Sequence, residues 1–181
     1  MAVLSEDQLC HVFANQIRDS PQFVSWLLGR TKKFAKHRAD DVKVLWEEQQ
    51  KQRTSPAAPW WRHWWMGKCK CSGCIGGRET DIFVVFELIE SNERFALHIE
   101  NKPPKTRFTK GQAAAYPIRA KCWAHQERFL DYSEFETILV APAAFLNEPG
   151  AELFTGIPYE DVAKVLPSYD VISVPYHGKP H

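Results

Sequence analysis

The chain has 181 residues, of which 44% are hydrophobic and 25% are charged, and its formal net charge is +1. These values are typical of one globular domain with a sizeable core, exclude a disordered chain, and give no sign of a polyanionic partner. No stretch is apolar for long enough to span a bilayer, and the N-terminus lacks the features of a signal peptide. Five cysteines, three of them in one short segment, are a poor disulfide framework and predict a reducing, cytoplasmic setting.

Residues 1–51 are predicted to form helices. Apolar residues recur at helical spacing near the N-terminus: Leu9, Val12, Phe13 and Ile17. Ser5 is placed to cap this helix, with Gln8 at the capping-box offset. Pro21 is well placed to begin a second helix, and a basic stretch separates that helix from a third, predicted over residues 40–50.

Residues 52–78 have a different composition, with no acidic residue, four tryptophans, three cysteines and two prolines. The segment is predicted to be an irregular insertion. Four potential zinc ligands lie in it: His63, Cys69, Cys71 and Cys74. A structural Zn²⁺ would stabilise such a segment, since metal binding contributes folding energy. The alternatives are an iron–sulfur cluster with Cys10 or Cys122 as its fourth ligand, or free buried thiols. The four tryptophans are expected to form a local apolar cluster that closes the insertion over the helices, rather than to stack on bases.

Residues 79–181 are predicted to form the rest of the domain around a sheet. Residues 81–89 and 94–100 are rich in β-branched and aromatic side chains, and the turn between them predicts a hairpin. The elements predicted after the hairpin are a helix over 109–130 kinked at Pro117, a strand over 137–145, a helix over 157–166 and an edge strand over 169–177. The order favours a single domain over residues 1–181, of the α/β or α+β class, with a mixed sheet flanked by helices.

Two carboxylates and one lysine are expected to meet at one end of this hairpin. Residues two apart on a strand share a face, so Glu100 and Lys102 project together. Asp81 begins the preceding strand, and the turn near residues 91–93 returns Glu100 beside it. Mg²⁺ is commonly held by one or two carboxylates plus water and phosphate oxygens, and an adjacent lysine stabilises developing negative charge. The group therefore predicts metal-assisted phosphodiester hydrolysis, although an ion pair at a strand end is the simpler reading of Glu-x-Lys alone.

The pattern of Asp81 on one strand and Glu100-Asn101-Lys102 on the next resembles the PD-(D/E)XK nuclease superfamily. Gln112 and Tyr116, four residues apart on the following predicted helix, resemble the Gln-x-x-x-Tyr motif of its RecB-like and lambda-exonuclease-like branches. The resemblance covers roughly residues 77–141 and implies a restriction-endonuclease-like core. Pro103 directly after the lysine and Pro117 directly after the tyrosine depart from a regular strand and helix.

The resemblance also implies roles for these residues. Asp81 and Glu100 would ligate Mg²⁺ or Mn²⁺, with the backbone carbonyl of Asn101 completing the site. Lys102 would serve the attacking water. Gln112 and Tyr116 would contact the substrate or the lysine. An acidic residue from an early helix often joins such sites; Glu6 is the first candidate and Glu47 or Glu48 the alternatives.

The charged residues are segregated along the chain, because no Asp or Glu occurs between residues 101 and 126. Besides Lys102, that window holds five basic residues: Lys105, Arg107, Lys110, Arg119 and Lys121. Such a segment beside the carboxylates predicts contacts with phosphates that do not read bases. A solvated basic face is the alternative.

The sequence therefore favours a Mg²⁺-dependent deoxyribonuclease, with nucleic acid as its partner and no membrane association. The alternative is a catalytically inactive, zinc-stabilised nucleic-acid-binding or protein-interaction module of the same fold. An RNA nuclease is a third hypothesis. No separate recognition domain is evident in the chain, so a homodimer or a partner protein would supply target recognition.

Overall fold

The structure, a computed structural model, describes residues 4–64 and 79–170. Of His63, within the first range, only the backbone is described. Cys69, Cys71, Cys74 and nearly all of the predicted edge strand 169–177 lie outside the described residues. The described helices are α1 (Glu6–Asp19), α2 (Pro21–Leu28), α3 (Trp46–Lys51), α4 (Gln112–Trp123) and α5 (Tyr159–Val162). The described strands are β1 (Val42–Val44), β2 (Arg62–Trp64), β3 (Thr80–Leu88), β4 (Arg94–Asn101), β5 (Glu134–Ala141) and β6 (Thr155–Pro158). The fold is thus mixed α/β.

The strands form one mixed sheet in the order β1-β3-β4-β5-β6, with β2 also paired to β3. The β3–β4 hairpin is antiparallel, whereas β4, β5 and β6 are parallel. β1 and β2 both pair antiparallel with β3, one near each of its ends. Between them the side chain of Gln49 donates to the carbonyl of Phe83 and accepts from the amide of Val85, both at 2.9 Å. This buried amide satisfies backbone groups that would otherwise lack a sheet partner.

The two faces of the hairpin pack against different helices because successive side chains on a strand point to opposite sides. One face contributes these buried side chains to the core formed with α1 and α2: Ile82, Val84, Phe86, Phe95, Leu97 and Ile99. The opposite face places Phe83 and Val85 against Trp123 of α4 and the neighbouring Phe129. Burying each large apolar side chain contributes about 1.5–3 kcal/mol. Helices α1 and α2 cover one side of the sheet, and α4 covers the other.

The first two helices are confirmed, including the capping box of Ser5 and Gln8 and the start at Pro21. The prediction of a third helix over 40–50 is wrong in its first half. Val42–Val44 form β1 on the edge of β3, and the helix begins only at Trp46. β-branched valines favour a pleated surface, and pairing with β3 satisfies their backbone groups.

Three further elements differ from prediction in their bounds. α4 ends at Trp123 rather than near residue 130, because the chain turns at His125, whose φ is 60°. β5 begins at Glu134, three residues earlier than predicted, and ends at Ala141. The segment predicted as a helix from 157 starts as β6, which pairs parallel with β5, and α5 follows only at Tyr159.

The described part of the tryptophan-rich segment belongs to the core. Trp60 and Trp61 are buried with α1 and α2, while Trp64 is buried on the α4 side. The prediction of one local tryptophan cluster is therefore wrong for these three residues. Where β2 pairs with β3, the chain passes from the side of α1 and α2, where Trp60 and Trp61 are buried, to the side of α4, where Trp64 is buried. Among the described helices, none combines the length and apolar character needed to cross a membrane.

Candidate active site

The end of the β3–β4 hairpin brings Asp81 and Glu100 onto neighbouring strands. The antiparallel register pairs Ile82 with Ile99, and Asp81 and Glu100 are the next residues beyond that pair. A direct contact links the strands there, since the amide of Asn101 donates to Oδ2 of Asp81 at 3.0 Å. The juxtaposition predicted from the hairpin is confirmed.

Three side chains contact the carboxylate of Glu100. Oε1 lies 2.6 Å from Nζ of Lys102 and accepts a hydrogen bond of 2.6 Å from Nε2 of Gln112. The hydroxyl of Tyr116 donates to Oε2 and lies 3.4 Å from the amide of Asp81. Gln112 and Tyr116 of α4 therefore both contact Glu100, which is an expected metal ligand. The resemblance had implied contacts with the substrate or with Lys102 instead.

The site is enclosed, and its charge is not balanced. Asp81, Glu100 and Lys102 have exposed fractions of 7%, 0% and 6%. Burial raises the pKa of Asp81 well above its usual value, and the charge of Glu100 raises that pKa further. Burial alone would lower the pKa of Lys102, but Glu100 and Asp81 raise it on balance. One ammonium therefore faces two carboxylates in a medium that screens charge poorly.

Glu6, at the start of α1, is the acidic candidate whose charge interacts with this group. Its pKa is raised by partial burial and by Glu100, while Lys102 opposes the shift. Glu48, in contrast, forms an ion pair of 2.7 Å with Lys43. Glu6 is thus the candidate with an electrostatic interaction with the carboxylate pair, and its place in the site stays a prediction. Glu47 lies beside Glu48 in α3.

The residues present fit a hard divalent cation. Asp81 and Glu100 supply carboxylate oxygens, and Glu6 adds a third negative charge that acts on the same group. No cluster of three or more His, Cys, Asp and Glu side chains in metal-binding arrangement occurs among residues 4–64 and 79–170. Mg²⁺ commonly takes one or two protein carboxylates and fills its octahedron with water, so a pair of carboxylates is sufficient.

A buried polar network that the sequence analysis missed lies behind the site. Nε of Arg119 donates to Oγ1 of Thr80 at 2.9 Å, and Thr80 lies 3.4 Å from Nδ1 of His98. The other ring nitrogen of His98 is 3.0 Å from the hydroxyl of Tyr132. Burial, reinforced by the charge of Arg119, holds the pKa of His98 well below its usual value. The polar His98 in the apolar run of β4 was the signal in the sequence.

Four of the five predicted phosphate-binding residues are exposed: Lys105, Arg107, Lys110 and Lys121. Arg119 is the exception and corrects the prediction. It is buried, and its guanidinium lies 4.3 Å from the ring centroid of Tyr116. Its place on the same helical face as Tyr116 turns it towards the sheet. Phe108, in the segment before α4, has its ring centroid 5.8 Å from Nζ of Lys102, so this basic segment borders the site.

The predicted zinc site falls on residues outside those described, apart from the backbone of His63. Of the two cysteines offered as a fourth ligand of an iron–sulfur cluster, Cys10 is buried in α1 and Cys122 is partly buried in α4. They belong to helices on opposite faces of the sheet.

A cleft of about 180 Å³ lies near the turn of the hairpin, at the other end of the sheet from the carboxylates. Lys33, Lys36 and Arg94 line it together with Glu93 and Glu134. Lys33 is already paired with Glu134 at 2.9 Å. The cleft mixes both signs of charge, and we favour the enclosed carboxylates as the functional site on the basis of their chemistry.

No family model, curated protein or solved structure matches this chain. Functional inference therefore depends on the geometry of the residues themselves.

Proposed function

We propose that the protein is a Mg²⁺-dependent nuclease that hydrolyses phosphodiester bonds in DNA, with a restriction-endonuclease-like core of the PD-(D/E)XK type. The observation that carries the proposal is the grouping of Asp81, Glu100 and Lys102 at one end of the hairpin, with Gln112 and Tyr116 both hydrogen-bonded to Glu100. Five motif residues that are scattered over 36 positions of the chain meet at one carboxylate pair.

The unbalanced charge supports a cation rather than a simple structural ion pair. A structural pair would be most stable with one carboxylate for one ammonium, because uncompensated buried charge is strongly destabilising. Here the pKa of Asp81 is raised by burial and by Glu100, and Lys102 offsets this only in part. A cation held by the two carboxylates would remove that cost.

The residues of the chain divide the chemistry between them. Asp81 and Glu100 would hold the cation, which when bound lowers the pKa of a water molecule and offsets charge on the phosphate. Lys102 would exchange part of its contact with Glu100 for the attacking water and the phosphate oxygens. Gln112 and Tyr116 keep Glu100 oriented by donating to its two oxygens.

The substrate is proposed to be a polyanion because exposed basic residues lie beside the site. Lys105, Arg107 and Lys110 lie in the segment between Lys102 and α4, and Lys121 lies further along that helix. Contacts of this kind bind phosphates without reading bases, so affinity should fall steeply with salt.

The test is cleavage of linear, circular and single-stranded DNA, with RNA in parallel, in Mg²⁺ or Mn²⁺. Lys102→Met and Glu100→Gln should each lower the rate by at least about 100-fold, as expected for groups that act in the transition state. Lys43→Met, which removes an exposed lysine on β1, is the matched control and should cleave like wild type.

Two outcomes would overturn the proposal in different ways. If wild type and Lys102→Met are equally inert on every substrate while nucleic acid still binds, the protein is the inactive binding module. If only RNA is cleaved, the reaction class stands and the DNA substrate is wrong. Metal analysis of the purified protein tests the cysteine cluster separately, and less than about a tenth of an equivalent of zinc or iron would exclude it.

A further inference from the structure

One buried polar residue interrupts the apolar face of β4. On the side packed against α1 and α2 the strand presents Phe95, Leu97 and Ile99 in alternate positions. Asn101 is the next residue of that row and is fully buried. An apolar side chain would continue the pattern without the cost of desolvating an amide. The amide at this position therefore needs an explanation other than core packing.

The side chain of Asn101 has a partner on each of two helices. The hydroxyl of Tyr159, at the start of α5, donates to Oδ1 of Asn101 at 2.6 Å. Nδ2 of Asn101 donates to Sγ of Cys10, in α1, at 3.4 Å. Both partners are buried, so these contacts are made in a medium of low dielectric where they strengthen. The residue is thus tied to two helices on the face opposite α4.

The main chain of the same residue contacts the carboxylate pair. Its amide donates to Oδ2 of Asp81, and its peptide joins Glu100 to Lys102. Glu100 is held from the α4 side by Gln112 and Tyr116. Asn101 is held from the α1 side, by the helix that also carries Glu6. A shift of the Asn101 peptide would change the distance between Asp81 and Glu100.

We propose that Asn101, fixed by Tyr159 and Cys10, is a positioning residue that sets the spacing of the two carboxylates and thereby the affinity for a divalent cation. This inference rests on the metal site of the proposed function and assigns a role to the side chain of Asn101, which the motif leaves unspecified. Removing a residue that orients the metal ligands without itself binding the metal commonly changes metal affinity by about 10–100-fold.

The experiment is Mn²⁺ binding to the full chain without nucleic acid, measured by titration calorimetry or by the electron paramagnetic resonance signal of free Mn²⁺. Tyr159→Phe removes only the hydroxyl, and Asn101→Leu replaces the amide by an apolar group of similar size. Each should weaken Mn²⁺ binding by about 10-fold or more. Neither change creates a cavity, but each leaves a buried polar partner unpaired, so the melting temperature should fall by a few degrees while the protein stays folded during the titration.

A matched control deletes the same atom elsewhere. Tyr132→Phe removes a buried hydroxyl that lies against His98 and the carbonyl of Ala120 on the other face of the sheet. It should bind Mn²⁺ like wild type. Cys10→Ser, which keeps an acceptor for Nδ2 of Asn101, should bind more tightly than Cys10→Ala.

Cleavage by the same variants separates this inference from the proposed function. If the variants bind Mn²⁺ as tightly as wild type, or if wild type binds none, the positioning role is wrong. If wild type binds Mn²⁺ and the variants bind it more weakly, the role stands, even when no nucleic acid is cleaved and the nuclease proposal fails. In an active protein, the rate lost in Asn101→Leu should return at high Mg²⁺ concentration, whereas the rate lost in Lys102→Met should not.

Discussion

Alternate residues of β3 and β4 face two different environments. Towards α1 and α2 the row is apolar up to Asn101. Towards α4 the same strands bury polar side chains among the aromatic ones: Thr80, His98 and Glu100. Both faces are equally inaccessible to solvent, so exposure does not explain the difference.

The comparison indicates that the apolar α1 face stabilises the fold, whereas the polar α4 face destabilises it. Apolar side chains on the α1 face contribute stability in proportion to the area that they bury. On the α4 face, the lowered pKa of His98 means that burial disfavours its charged form. The raised pKa of Asp81, beside Glu100 at the end of the hairpin, has the same main cause. We interpret burial of ionisable groups on the α4 face as unfavourable for folding, and we infer that apolar burial on the α1 face supplies the stability that offsets it. Four predictions test this interpretation, in order of decreasing effect.

Leu97→Ala should be the most damaging change to stability. Leu97 is fully buried on the α1 face, and deleting its side chain should cost about 2–5 kcal/mol of unfolding free energy, measured by urea denaturation. Ile89→Ala is the control, because Ile89 is 60% exposed beyond the end of β3 and should change stability by about 0.5 kcal/mol or less. Equal effects of the two changes would contradict the assignment of stability to the α1 face.

His98 should make the fold sensitive to acid. Its pKa in the folded protein is well below 6.5, so the unfolded chain binds the extra proton first. Stability linked to this group is complete above its ordinary pKa and falls as the pH drops below it, at up to about 1.4 kcal/mol per pH unit. His98→Gln should flatten the dependence between pH 7 and pH 4.5, as measured by urea denaturation. The exposed His11→Gln should leave the slope unchanged, and an unchanged slope in His98→Gln would contradict the prediction.

Asp81→Asn should stabilise the metal-free protein while abolishing cleavage. The pKa of Asp81 is raised above 3.8 in the folded state, so the associated stability is present at low pH and is lost as the pH rises through the folded value. Replacing the carboxylate should therefore raise the unfolding free energy by about 1 kcal/mol at pH 8 in EDTA. Mg²⁺ should raise the melting temperature of wild type more at pH 8 than at pH 5. A destabilised Asp81→Asn would show instead that this carboxylate belongs to a structural ion pair.

Neutralising the exposed basic residues should have the smallest effect. Arg107→Gln and Lys121→Gln should each weaken DNA binding a few-fold and lower the slope of log affinity against log salt by about 1. Lys36→Gln, at the opposite end of the sheet, should change neither quantity. Fluorescence anisotropy with a labelled duplex at several salt concentrations measures both. An equal loss in all three variants would indicate that attraction is spread over the whole surface.

Sequence patterns predicted the hairpin well because its signal is local. Two β-rich runs joined by a short turn allow one register that buries both faces, and that register places Asp81 beside Glu100. The capping box of α1 and the proline at the start of α2 are equally local and were also correct. The helical spacing of Gln112 and Tyr116 correctly predicted a shared face.

The predictions were wrong where contacts with residues distant in the sequence determine the local structure. Val42–Val44 become a strand because the edge of β3 is available to them, although β3 begins almost forty residues later. Trp61 and Trp64 separate to opposite faces for the same reason, since β2 also pairs with β3. Arg119 was predicted to contact phosphate because it lies in the acid-free basic segment, but the position of α4 on the sheet turns it inward.

The sequence by itself determined the identity of the candidate site, because motif spacing, strand alternation and helical periodicity are properties of neighbouring residues. Only the tertiary structure decided how that site is held. Contacts to Glu100 from α4, to Asn101 from α1 and α5, and between Arg119 and Thr80 join residues far apart in the chain. Buried polar groups must be hydrogen-bonded, and their partners are the groups that packing brings close in space. The spacing of residues along the sequence does not predict which groups these are.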